Sequence, residues 1–168
     1  MRFIFVRHGH KAKGAGGDPP LAEKGEQEAR DMGLFLARQG IVPDLIVHTD
    51  TKRTRQTAEL LLAALAPALV PVKDGGSGFK SGCPLADLEA RLARWRALGE
   101  GEVGTLLFVG HHPQQHTCLA RLGKPEGVSV KDNPRVVLVY DQGDQRWTLG
   151  PWWVDGTEGD GGEPKKGG

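Results

Sequence analysis

The chain has 168 residues, 22 Lys plus Arg against 21 Asp plus Glu, a formal net charge of +1, and 38% hydrophobic and 26% charged residues. That length suits one domain with a core of its own, and the near-even charge balance supplies no whole-protein field for nucleic acid or a membrane surface, so any anion site must be local. Cys83 and Cys118 form neither a CxxC nor a paired framework and read as reduced core thiols of a cytoplasmic protein, while the longest apolar run, Leu60 to Ala66, falls far short of the roughly 18 residues that span a bilayer.

Arg2 to Val6 reads as a first strand. The turn signal Asp18-Pro19-Pro20 then leads into a helix over about Glu23 to Gln39, ended by Gly40. Leu45 to His48 is a second strand, and Ala58, Leu61, Leu62 and Leu65 recur at helical spacing after it. Leu69 to Val72 reads as a third strand, and Gly75 to Gly82 as a mobile loop, because so many glycines hold no single conformation cheaply. Leu85, Leu88, Leu92 and Trp95 mark another helix, Thr105 to Val109 a strand, and Pro113 the first turn of a further helix. Val136 to Tyr140 is a strand, and Arg146 to Leu149 an edge strand beyond the turn Asp141 to Asp144. Strand runs that are continuously rather than alternately apolar are buried on both faces, as in a parallel sheet. The β-α alternation predicts a layered α/β/α domain over 1–154, followed by a flexible glycine-rich tail over 155–168.

Three polar clusters sit at one place relative to these strands: Arg7-His8-Gly9-His10, Lys52-Arg53-Thr54-Arg55 and Gly110-His111-His112-Pro113. In open α/β sheets ligands bind beyond the carboxyl ends of the strands, so the three clusters converge on one pocket. Two arginines and two histidines around a point offer forked donors and a titratable nitrogen, which suits the oxygens of a phosphoryl group. Helices beginning near Arg53 and Pro113 add free N–H groups aimed at the same anion. Arg53 is preferred to Arg55, because helix residues two apart do not share a face.

The Arg7-His8-Gly9 element, the Lys52-Arg53-Thr54-Arg55-Gln56-Thr57-Ala58 element and Val109-Gly110-His111-His112-Pro113, in this order over about residues 1 to 140, resemble the three signatures of the histidine phosphatase superfamily, also called phosphoglycerate mutase-like. The chain is similar above all to the SixA-type phosphohistidine phosphatases in its short span after the third strand. The resemblance implies a mostly parallel, phosphoglycerate mutase-like sheet. It implies that His8 becomes phosphorylated and that Arg7, Arg53 and His111 hold the phosphoryl oxygens. It also implies a hydrolase acting on a phosphorylated protein or a small phosphorylated metabolite; with two arginines to neutralise the phosphoryl oxygens and no complete ligand set in view, no metal or cofactor is expected. Attack on phosphorus needs a neutral His8, with its other ring nitrogen donating to a carbonyl near Gly9 and the nearby arginines lowering its proton affinity.

The larger relatives carry a glutamate general acid in an insertion after the third strand, and this chain has no such motif. Asp74 is the one carboxylate between Val72 and Asp87, and reads either as a proton donor or as a solvated side chain opening the glycine loop. His10 reads as either a pocket-mouth residue or a solvated one. His112 and His116 have metal-binding spacing but no third ligand at matching spacing. Three alternatives remain open: a small-molecule phosphomonoesterase with Asp74 as acid, a non-catalytic phosphate-binding module, and a His-rich metallohydrolase. Trp152 and Trp153 read as edge-strand core or as one wall of the substrate site.

Overall fold

The computed structural model describes residues 1–14, 16–65, 69–79, 82–122, 138–141, 143 and 146–149. Among the described residues six strands form one sheet: β1 (Arg2–Arg7), β2 (Leu45–His48), β3 (Val72–Asp74), β4 (Thr105–Gly110), β5 (Leu138–Asp141) and β6 (Arg146–Leu149), in the order β3-β2-β4-β1-β5-β6. β1 to β4 run parallel, and β5 is antiparallel to both β1 and β6. Among the described residues each of β1 to β4 is followed by a helix: α1 (Glu23–Arg38), α2 (Lys52–Leu65), α3 (Leu85–Arg96) and α4 (His112–Leu122).

Neighbouring residues of each strand serve opposite faces, and the core divides accordingly. Ile4, Val6, Ile46, Leu107 and Val109 pack under Ala29, Met32 and Leu36 of α1 and Ala58, Leu61 and Leu65 of α2. Phe3, Phe5, Val47, Leu106 and Phe108 pack under Leu88, Leu92 and Trp95 of α3 and Cys118 of α4. Both faces of the sheet are therefore covered, which is why the strand runs carry no polar alternation. The result is a three-layer α/β/α domain. Among the described residues no helix is long and apolar enough to cross a membrane.

The third strand lies further along the chain than the Leu69 to Val72 reading. Leu69 is fully exposed, and the parallel register with β2 instead engages Val72 to Asp74, against Ile46 to His48. Asp74 therefore ends the strand. The glycine loop is also anchored where the sequence suggests mobility. Phe79 is buried against Trp95 and Phe108, with ring centroids 5.9 and 6.0 Å away, and those two rings stack on each other 4.3 Å apart at 20°. Gly75 accepts a 3.0 Å hydrogen bond from Trp95 Nε1, and a Cβ at that position would stand 2.6 Å from the same nitrogen. Cys118 is a buried free thiol, but Cys83 is only half-buried and so is not a core residue. Trp152, Trp153 and the tail lie outside the described residues.

Candidate active site

The carboxyl ends of β1, β2 and β4 lie side by side, because β4 sits between the other two. Arg7 is in register with Gly110; the His8 N–H donates to Gly110 O at 3.0 Å, and the Thr49 N–H donates to Val109 O at 3.2 Å. These backbone bonds stitch the three post-strand loops together and bring the three polar clusters to one end of the sheet. A cleft of about 620 Å³ opens there, with Arg7, His8, His10, Glu28, Met32 and Arg53 in its walls.

His8 is held at both ring nitrogens. Its Nδ1 lies 2.7 Å from Gly9 O, which makes Nδ1–H the donor and leaves the lone pair on Nε2. Arg53 Nε points at that lone pair from 3.3 Å. The His111 ring stands edge-on to His8, with centroids 5.0 Å apart at 70°. The proton affinity of His8 falls from the ordinary 6.5 to about 4. Burial is the largest cause, with smaller contributions from His111, Arg53 and Arg7, so desolvation does most of what the sequence reading assigns to the arginines. His111 is also lowered to about 4, by burial first and Arg53 second. Both rings are neutral near pH 7.

The loop carrying His8 is fixed from two sides. The Gly9 N–H donates to the buried Thr57 Oγ1 at 3.1 Å, and that hydroxyl donates to Arg53 O at 2.7 Å. Thr57 thus couples the β1 loop to the turn of α2 that carries Arg53. On the other side Gly9 packs backbone to backbone on Gly25 of α1, and Gly25 packs equally closely on His10; a Cβ on either glycine would overlap main-chain atoms. Ala22, at the start of α1, supplies no side-chain cap, but its N–H donates to His10 O at 2.8 Å and so fixes the same loop.

Arg53 and Arg55 separate as helix geometry demands. Arg53 turns into the cleft, while Arg55 is exposed and lies 4.0 Å from Glu59 one turn on. Arg7 is half-buried in the cleft wall, where Glu28 partly offsets the effect of burial on its guanidinium. His111 Nε2 lies 3.1 Å from Thr49 Oγ1, whose hydroxyl donates to Thr54, so His111 Nε2 is the donor of that pair. Its main chain begins α4: His111 O accepts from the Gln114 and Gln115 N–H groups, and Gln114 Oε1 accepts from the His111 N–H at 2.6 Å.

The remaining candidates fall elsewhere. Asp74 is exposed, accepts the Gly76 N–H at 2.7 Å in a tight turn, and is not among the cleft walls. His112 is the first residue of α4 and lies 6.3 Å from His116, ring to ring. Among the described residues no group of three or more His, Cys, Asp or Glu side chains is placed to hold a metal ion. His10 does line the cleft, and its partner there is Glu28, a buried carboxylate of α1. Asp18 is a second unforeseen participant: it meets Arg53 Nη1 at 3.3 Å and accepts the Lys52 N–H, bracing the start of α2. Each pairing spans 18 or more positions of sequence, and no local motif marks either residue.

Comparison with known proteins decides the family. The sequence model of the histidine phosphatase superfamily (branch 1) matches residues 3–75. An uncharacterized protein of Picosynechococcus sp. is 34% identical over 117 residues, which is 67% of this chain and 67% of that protein. The chain belongs to the histidine phosphatase superfamily. The superfamily fold extends over most of the chain in two solved structures. A candidate phosphohistidine phosphatase SixA of Agrobacterium tumefaciens superposes with a TM-score of 0.65 and 24% identity, covering 93% of this chain and 99% of that one. The protein histidine phosphatase SixA in complex with tungstate gives 0.62 and 22%, covering 89% and 94%. At these identities they establish the shared architecture of the superfamily domain.

Proposed function

We propose that this chain is a phosphatase that works through a covalent phosphohistidine on His8 without a metal ion, and that its substrate is a phosphohistidine on another protein. The observation that carries the reading is the His8 ring: neutral, with Nδ1 anchored on Gly9 O, the Nε2 lone pair met by Arg53 Nε, Arg7 and Arg53 beside it in the cleft wall, and His111 edge-on behind it. A nitrogen lone pair that is held in place and desolvated is an activated nucleophile. It attacks phosphorus in line; the leaving atom departs with the bonding pair, and the forked N–H groups of Arg7 and Arg53 neutralise the oxygens over which charge spreads. Water then attacks the phosphohistidine, and the P–N electron pair returns to Nε2. The architecture shared with SixA supports a protein phosphohistidine as substrate. A small phosphorylated metabolite is the second reading, favoured by a cleft whose walls include Lys11 and Lys13.

Rapid-quench labelling with a radiolabelled phosphodonor tests the proposal. An acid-labile, alkali-stable label is expected on the wild type and none on His8→Ala. Activity in His8→Ala sinks the nucleophile assignment, and a chain that binds vanadate but never labels is a phosphate-binding module.

A further inference from the structure

The cleft holds a second histidine that the mechanism above does not use. His10 lies two residues beyond the nucleophile and meets Glu28 through both its side chain and its backbone N–H. Its Nδ1 lies 2.6 Å from Glu28 Oε1 and 2.8 Å from Oε2, and its backbone N–H donates to Oε2 at 2.9 Å. The carbonyl of the same residue accepts the Ala22 N–H, and Gly25 closes against its main chain. His10 is thus fixed through three of its atoms to the first half of α1. A solvated surface histidine needs none of this. Glu28 is buried, with 10% of its side chain exposed, whereas the His10 side chain is 47% exposed and opens to the cleft.

A buried carboxylate that grips one imidazole nitrogen fixes the tautomer and the orientation of the ring. With Nδ1–H committed to Glu28, Nε2 is the nitrogen left to face what enters the cleft.

We infer that His10, oriented by Glu28, is the proton donor to the leaving group, in the place where the chain lacks a family-like acidic insertion. The inference rests on the proposed His8 mechanism and adds its missing acid. As His8 Nε2 forms its bond to phosphorus and the bond to the leaving atom breaks, His10 Nε2 transfers its proton to that atom, so an alkoxide leaves as an alcohol and an imidazole leaves neutral. In the second half His10 Nε2 takes a proton from the attacking water. Phosphate departs, His8 recovers its lone pair, and His10 is again protonated. The leaving groups served in this way extend to alcohols of high pKa, so alkyl phosphomonoesters join phosphohistidine among the usable substrates.

A leaving-group series separates this role from a structural one, because loss of a scaffold slows every substrate alike. With kcat/KM measured from 4-nitrophenyl phosphate to simple alkyl phosphates, His10→Ala is expected to lose roughly 10²- to 10⁴-fold on the alkyl esters and little on the nitrophenyl ester. Added imidazole should restore part of the alkyl activity. His10→Gln keeps an amide donor for Glu28 but no transferable proton, and should show the same selective loss even if His10→Ala folds poorly. Glu28→Gln should fall between, because Glu28 positions the donor rather than touching substrate, and Asp74→Asn should keep the wild-type slope. A His10→Ala or His10→Gln loss that is equal across the series, a wild-type slope as steep as theirs, or a selective loss in Asp74→Asn each overturns the assignment. A wild type that forms no labelled His8 overturns the proposed function as well, whereas a labelled enzyme with an unselective His10 effect overturns this inference alone.

Discussion

Thr57→Val tests whether the His8 loop is held from below by one hydroxyl. Thr57 is fully buried, and its Oγ1 accepts the Gly9 N–H at 3.1 Å and donates to Arg53 O at 2.7 Å. Valine keeps the shape and the β-branch, so helix propensity barely changes. The Gly9 N–H, however, loses its acceptor in a buried place. An orphaned buried donor costs about 1–3 kcal/mol and a lost neutral hydrogen bond about 1 more. The expected total is roughly 2–4 kcal/mol, which lowers the Tm of a domain of this size by about 4–16 °C. Gly9 also carries the carbonyl that anchors His8 Nδ1, so a shift of the loop turns the nucleophile, and a misplacement of about 1 Å costs on the order of 10²-fold in kcat. Thermal denaturation followed by circular dichroism and rapid-quench labelling of His8 read the two effects. Thr57→Ser, which restores the hydroxyl, should recover most of both. A Thr57→Val protein that melts with the wild type and labels at the wild-type rate refutes the reasoning.

Other expectations follow from the same geometry. Arg53→Ala should lower kcat/KM by roughly 10²- to 10³-fold, as removal of a transition-state donor does; Arg55→Ala removes only an exposed pair with little stabilising value and should stay close to the wild type. Equal losses in parallel assays would overturn the assignment of Arg53 to the cleft. Activity should survive dialysis against EDTA, and tungstate or vanadate should inhibit; loss on chelation with recovery on Zn²⁺ or Mn²⁺ would establish a metal requirement. His8 and His111 both have folded values lowered from 6.5 to about 4. A lowered value means that the unfolded chain binds more protons between those limits, so stability should fall as the pH drops from 6.5 towards 4. The rate of His8 labelling should hold through that window and fall only near pH 4; half-loss near pH 6.5 would show an ordinary, solvated imidazole.

Much of this was legible in the chain because local pattern and topology agree. Arg2 to Val6, Leu45 to His48 and Thr105 to Val109 read as strands buried on both faces, and the three polar clusters follow strands whose order in the sheet brings their ends together. What sequence could not supply were pairings without a local signature. Glu28 is one of several charged residues along α1, and only the fold turns it under His10; Asp18 reads as part of a Pro-rich turn until α2 docks against it. The third strand lies beyond Leu69 and Val70, which have strand composition, because its limits are set by register with β2 and by the Gly75 N–H, which donates to His48 O at 2.8 Å. The glycine loop gives no sign of its anchor because a lone aromatic among glycines, Phe79, makes no periodic signal.

The contact of Gly9 and Gly25 bears on how this chain can change over generations. Where Gly9 meets Gly25, the nucleophile's loop and the first helix touch through main chain alone, so no pair of side chains can drift at that point and compensate one for the other. A larger residue at position 25 meets His10, and one at position 9 meets Gly25; either path moves the two histidines of the cleft together. Variation that retunes the substrate therefore has to come from residues further out on the rim, such as Lys11, Ala12 and Lys13. The rim can evolve by single steps, whereas the hinge of backbone beneath it admits none without displacing the chemistry.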